Sequence, residues 1–215
     1  LRDVVAHVDQ PVASASGPAL CLPRRLYRGG KQHIAAADTH QLAALVEKSL
    51  LTHNVETQRY TLHPVVRVYA AAELAEVDPI VQKHAHYYLT LLAGQSAMLQ
   101  KDAPQHAVAA LEPEMENVRL AWQSGLALPS TSSAAGLLAA ALTSLSIYYQ
   151  LRGRSHEAEA TMQTTLRTAT AWGAAGLALA TRSGPERARF QNRLGRYRAA
   201  LETVETALRD AQTVS

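Results

Sequence analysis

The spacing of apolar residues along the chain changes character twice. Across residues 1–23 no period holds, because Pro11, Gly17, Pro18 and Pro23 interrupt it, and this stretch predicts a poorly ordered lead-in. Asp38 followed three residues later by Gln41 forms a capping-box signal, and Leu42, Leu45 and Val46 then fall on one helical face. Ser49–His53 predicts a short strand, Asn54–Thr57 a turn, and Gln58–Leu62 a second strand with Tyr60 and Leu62 on one side. Pro64 suits a first helical turn, with Val65, Val66, Tyr69 and Leu74 as an apolar face. From Asp78 and Pro79 onward the pattern is helical throughout: one long helix to about Gln100, another from about Pro104 to Leu126, a turn over Pro129–Ser133, then helices to the end.

The last third carries an internal repeat. Gly153–Ala169 lies over Gly195–Ala211 at an offset of 42 residues, with eight of seventeen positions identical. Unrelated alanine-rich helices would share about two or three. In each copy a glycine permits a tight turn between antiparallel helices. Small Ala158 and Ala200 let the second helix approach its neighbour, and Leu166 and Leu208 are expected to plug the interface two turns later. Such a unit cannot bury its own face and must stack.

Composition narrows the class. With 47% hydrophobic residues the chain can bury a core, while 18% charged and 5% aromatic leave alanine to fill the interior. A net charge of +3 is far below that of a polybasic arm. The single cysteine, Cys21, excludes an internal disulfide framework and any multi-cysteine zinc site, as expected of a cytoplasmic protein. No secretory signal opens the chain, and a start at Leu1 suggests a segment of a longer polypeptide. Ala134–Leu151 nearly reaches the length of a membrane span, but its alanines, Thr143, Ser144, Ser146, two tyrosines and Gln150 favour a buried helix and no membrane partner.

Two resemblances follow from particular residues. Leu194, Gly195, Tyr197, Ala200 and Ala207 resemble a tetratricopeptide repeat, although the 42-residue period exceeds the usual one. Separately, Leu42–Leu51, Arg59–Leu74 and Leu111–Trp122, in this order, resemble the regulatory part of bacterial STAND-type signalling ATPases, as does Tyr27-Arg28-Gly29-Gly30 with Ala35–Ala37. In that family a nucleotide-binding module precedes a winged helix and helical repeats. The resemblance therefore implies a mainly α fold: a winged-helix-like domain over 24–76, a linking helical region over 77–128, and a tetratricopeptide-like array over 134–215. It also implies a nucleotide-binding module in cis, a protein or peptide effector on the repeats, and ADP or ATP as cofactor of the full-length protein, with none held by this segment. No G-x-x-x-x-G-K-[ST] loop occurs; Gly29-Gly30-Lys31-Gln32 lacks the leading glycine and the hydroxyl residue.

By the resemblance His63 would reach the β-phosphate of bound ADP. The plainer alternative is that it caps the helix starting at Pro64. Arg182, Arg187, Arg189, Arg193, Arg196 and Arg198 could hold phosphates or acidic peptides, or could simply solvate the outside of repeat helices. His84 and His86 are two apart on a helix and do not make a metal pair. Glu112, Glu114 and Glu116 read as a solvated helix face. No HExxH or GxSxG motif is present, so a non-catalytic, regulatory role is expected. A free-standing repeat adaptor, a DNA-binding regulator and a degenerate fragment are the alternatives. DNA binding is disfavoured because Lys48 is the only lysine or arginine over Asp38–Lys48.

Overall fold

The computed structural model describes residues 25–27, 39–56, 59–66, 68, 79–128 and 132–213. The protein is mainly α-helical, with one small antiparallel sheet. It divides into two compact units: residues up to Tyr88 together with Glu114–Ser124, and Leu89–Pro113 together with Gly125 onward.

The first unit contains the sheet. Strand β1 (Arg25–Tyr27) precedes helix α1 (Thr39–Glu47), which leads into the hairpin β2 (Leu51–Asn54) and β3 (Arg59–Leu62). The strand order is β1-β3-β2, with Leu51 opposite Leu62 and His53 opposite Tyr60. Leu42 and Leu45, one turn apart on α1, are buried against Leu51, with Val46, Leu50, Tyr60 and Leu62 packed around them. Ser49 does not begin the strand as its pattern suggested. It takes φ 57° and ends the helix, while the Leu50 N–H reaches back to the Leu45 carbonyl at 3.0 Å. The strand therefore starts two residues later. After His63 the chain turns helical at Pro64; of the expected apolar face, Val65 is 70% exposed and Val66 is half-buried. Tyr69, Leu74, Asp38, Asp78 and Pro129 lie outside the described residues.

The long helices expected from the pattern are interrupted. Helix α2 covers Pro79–Gly94, and a π-helical segment, Met98–Asp102, follows it instead of a continuous helix to Gln100. The second is split at Pro113 into α3 (Pro104–Leu111), a 3-10 turn (Glu112–Glu114) and α4 (Met115–Ala127). Proline lacks an N–H and cannot continue the α ladder, so the helix breaks there.

The second unit is built on α5 (Ser132–Leu151), α6 (Ser155–Ala171), α7 (Leu177–Arg193) and α8 (Tyr197–Thr213), with a 3-10 turn at Gly173–Gly176. Helix α7 packs against α5, α6 and α8. Ser133–Leu151 is long and apolar enough to cross a membrane, and more than half of that window is buried inside the fold. The two halves of the sequence repeat adopt the same turn. Gly153 (φ 66°) and Gly195 (φ 73°) each follow a helix, and the next N–H reaches back five residues: Arg154 to the Tyr149 carbonyl at 3.0 Å, Arg196 to the Gln191 carbonyl at 2.8 Å. This left-handed stop reverses the chain within three residues.

Ala158 and Ala200 are buried as the repeat required. Leu166 is half-buried, but Leu208 plugs nothing: it is 59% exposed. Gly176 marks the closest backbone approach, where an added Cβ would lie 2.0 Å from the Ala169 carbonyl oxygen. Gly176→Ala is therefore expected to lower unfolding stability by at least about 2 kcal/mol. Gly136→Ala, in open space on α5, is expected to raise it by roughly 0.5–1 kcal/mol. Urea unfolding of the two variants measures the contrast.

Candidate functional site

His63 stands between β3 and the helical turn at Pro64. Its N–H donates to the Leu50 carbonyl at 3.1 Å, which ties the junction to the end of α1. Its exposed ring lies at the start of the turn, where Nδ1 accepts the Val65 N–H at 3.4 Å. A neutral imidazole that accepts through Nδ1 carries its proton on Nε2, so that nitrogen is a donor. The capping bond thus coexists on one side chain with a donor that has no partner among the described residues.

Two carboxylates expected to be a solvated face are engaged instead. Glu114 is buried, and its Oε1 receives Arg59 Nη2 from β3 at 2.5 Å. Its Oε2 accepts Asn117 Nδ2 at 3.1 Å, and the same amide nitrogen donates to the Tyr88 hydroxyl at 3.0 Å. Burial, followed by the Glu114 charge, pushes the Tyr88 phenol above its ordinary range. His84 packs against Tyr88 with ring centroids 4.7 Å apart, and its buried Nε2 has no hydrogen-bond partner among the described residues. Burial lowers its pKa to about 4, so the ring is neutral near neutral pH. His86 is exposed.

Glu112, two residues before Glu114, belongs to the other unit. It accepts the Tyr148 hydroxyl at 2.6 Å, Arg152 Nε at 3.0 Å and Arg154 Nη2 at 3.3 Å. The Tyr148 hydrogen bond is the chief cause of its lowered pKa. Burial, and then the bond to Glu112, push Tyr148 up to about 12. The 3-10 turn at Pro113 separates these two carboxylates. Only Glu116 of the three is exposed. Pro113 itself was the sequence signal for this arrangement, since a proline inside a helical pattern reorients the residues on either side.

The six arginines do not form one strip. Arg182 donates to the Ala139 carbonyl at 2.6 Å and to Thr143 Oγ1 at 2.8 Å, clipping α7 to α5. Arg187 and Arg196 meet at Glu159, at 3.1 Å and 3.5 Å. Arg189 pairs with Glu186 at 3.2 Å, and Glu186 also receives the Ser146 hydroxyl. Arg193 and Arg198 are exposed. From Glu159 the bonding continues through Gln191 to Thr203, which links α6, α7 and α8. These residues border a groove of about 830 Å³ lined by Arg167, Thr170, Thr181, Gln191, Glu202 and Thr203 among others. Leu166, Ala169, Leu177, Ala199 and Ala207 also line it, so the wall is largely apolar with a few hydroxyl, amide and charged groups. No group of three or more possible metal ligands occurs among the described residues.

Comparison with protein-family models, curated proteins and solved structures finds no match.

Two outcomes follow from the buried groups. Arg59→Ala leaves Glu114 buried without its cation and is expected to cost about 3–5 kcal/mol in urea unfolding. His84 binds a proton more readily when unfolded, so stability is retained above pH 6.5 and falls as pH drops toward 4. The loss over that window is roughly 2–3 kcal/mol. His84→Leu is expected to flatten this part of the profile.

Proposed function

We propose that this chain is the non-catalytic regulatory and protein-interaction segment of a STAND-type signal-transduction ATPase of the cytoplasm. In this reading α1, the β2–β3 hairpin and the turn at Pro64 belong to a winged-helix-like domain. The hairpins α5–α6 and α7–α8 form a tetratricopeptide-like scaffold for an effector. The observation that carries the reading is His63: it stands exposed at a strand-to-helix junction with Nδ1 used for capping, which leaves Nε2 as a donor without a partner among the described residues. A donor there, beside a helix N-terminus, can contact the β-phosphate of ADP held by a nucleotide-binding module in the same polypeptide. Loss of that contact on exchange for ATP would release the module, and an effector on the repeats would bias the exchange.

Several features favour an internal clamp over DNA recognition. Helix α1 carries no lysine or arginine, and Arg182, Arg187, Arg189 and Arg196 are engaged within the fold. The paired hairpins support the scaffold part of the reading, because their groove and polar links lie on three helices at once.

The test begins with the coding DNA upstream of the Leu1 codon. An in-frame G-x-x-x-x-G-K-[ST] loop is expected; a start codon without one overturns the nucleotide mechanism and leaves a repeat adaptor. In the intact protein, His63→Ala is expected to speed ADP release at least about tenfold, which corresponds to roughly 1.4 kcal/mol for one lost charge-assisted hydrogen bond. Unchanged release, followed with a fluorescent ADP analogue, would remove His63 from the site.

A further inference from the structure

The groove bordered by α6, α7 and α8 is open because small side chains stand where large ones would fill it. Ala169 of α6, Ala180 of α7, and Ala199 and Ala207 of α8 line it, together with Leu166 and Leu177. Helix α7 packs against both α6 and α8. The lining reaches along α7 from Leu177 and Ala180 to Gln191. Ala180 and Gln191 are eleven residues apart on that helix, about 16 Å along its axis. The volume of about 830 Å³ lies within the range of about 300–1,000 Å³ that small-molecule sites occupy.

The polar groups of the lining are already committed. Thr170 donates to the Leu166 carbonyl at 2.9 Å, Thr181 to the Leu177 carbonyl at 3.0 Å, and Thr206 to the Glu202 carbonyl at 2.8 Å. Thr203 donates to Gln191 Oε1 at 2.9 Å, and Gln191 Nε2 donates to Glu159 at 3.4 Å. A peptide backbone laid here would bring carbonyls that find few donors, and burying them unpaired is costly. A hydrocarbon carries no such cost.

The charged side chains of the lining are unevenly placed. Arg187 and Glu202 belong to the end near Gln191: Arg187 is one turn before it on α7, and Glu202 adjoins Thr203, which bonds it. Arg187 is itself held by Glu159 at 3.1 Å. Arg167 stands at the other end, where α6 runs through Gly173 and Ala174 into α7. It is exposed and pairs with no carboxylate among the described residues, and no acid shares its end of the lining. A lone cation at one end of an apolar groove selects an anionic head, and Glu202 at the opposite end turns the same head away.

We propose that the groove is a binding site for one long-chain carboxylic acid, with its carboxylate on Arg167 and its hydrocarbon tail along α7 toward Gln191. The site needs no nucleotide-binding module and stands whether or not that reading holds.

The test titrates the 215-residue protein with dodecanoic acid, kept below its micelle concentration, in an isothermal calorimeter. Saturable binding of one molecule per chain is expected. Arg167→Gln, an exposed change, should weaken it at least about tenfold while leaving the urea midpoint as it was. Leu208→Glu, on an exposed part of α8 outside the groove, should leave binding unaltered. Dodecylamine and penta-alanine should each bind at least about tenfold more weakly than dodecanoic acid. No saturable binding of dodecanoic acid overturns the proposal, as does binding of several molecules per chain or binding that Arg167→Gln leaves unchanged. Equal binding of dodecylamine removes the anionic head, and equal or tighter binding of penta-alanine makes the occupant a peptide. Loss of binding on Leu208→Glu moves the site to the outer side of α8. Each of these three results overturns it as well.

Discussion

A helix can reverse the chain within three residues only if one residue enters the left-handed region, and much of this architecture depends on where that happens. Ser49, Gly153 and Gly195 each take that role. At all three the following N–H returns to a carbonyl five residues back: Leu50 to Leu45, Arg154 to Tyr149, and Arg196 to Gln191. The motif satisfies carbonyls that the helix would otherwise leave unpaired. It sends the chain from α1 into β2, from α5 into α6, and from α7 into α8. Glycine makes the stop without strain; serine at 49 makes it with a side chain present, so the hairpin that follows is held by a less favourable conformation.

Those reversals bring together helices with few large side chains. A buried alanine methyl contributes only about 0.8 kcal/mol, so alanine-rich packing stabilises chiefly through close contact over many atoms. The structure shows that closeness directly. A Cβ added at Gly184 would meet the Ala207 Cβ at 3.0 Å, and Gly176 touches the backbone of α6. Bulkier anchors stand at intervals within this lattice: Tyr148 and Tyr149 on α5, Met162 on α6, Phe190 on α7, all 0–1% exposed. The phenol of Tyr148 stays hydrogen-bonded to Glu112 despite its burial.

The sequence foretold the helical content, the hairpin after α1 and the equivalence of the two glycine turns, because each has a short-range cause. Leu42 and Leu45 needed only helical spacing, and Gly153 with Gly195 only a repeat. What it concealed depended on partners distant in the chain. Glu114 looks like any helix-surface acid until Arg59, 55 residues earlier, is placed against it. Glu112 likewise depends on Tyr148, Arg152 and Arg154. Pro113 was visible, yet its effect was local geometry and not composition: it turns adjacent carboxylates toward different partners. The junction at His63 was legible as a position, while the division of labour between Nδ1 and Nε2 required coordinates.

Charge serves the packing of this protein in a definite order. In a chain with 21 basic and 18 acidic residues, the buried carboxylates take up arginines first. Glu114 takes Arg59, and Glu159 takes Arg187 and Arg196. A carboxylate placed inside a helical array is destabilising unless a fixed cation meets it, and guanidinium is suited to the task because it stays charged and presents several donors. Of the six arginines between 182 and 198, Arg182, Arg187, Arg189 and Arg196 bond within the fold, while Arg193 and Arg198 are exposed. Helices α6, α7 and α8 border the groove, and Tyr197, Leu201 and Leu208 leave the outer side of α8 apolar and exposed.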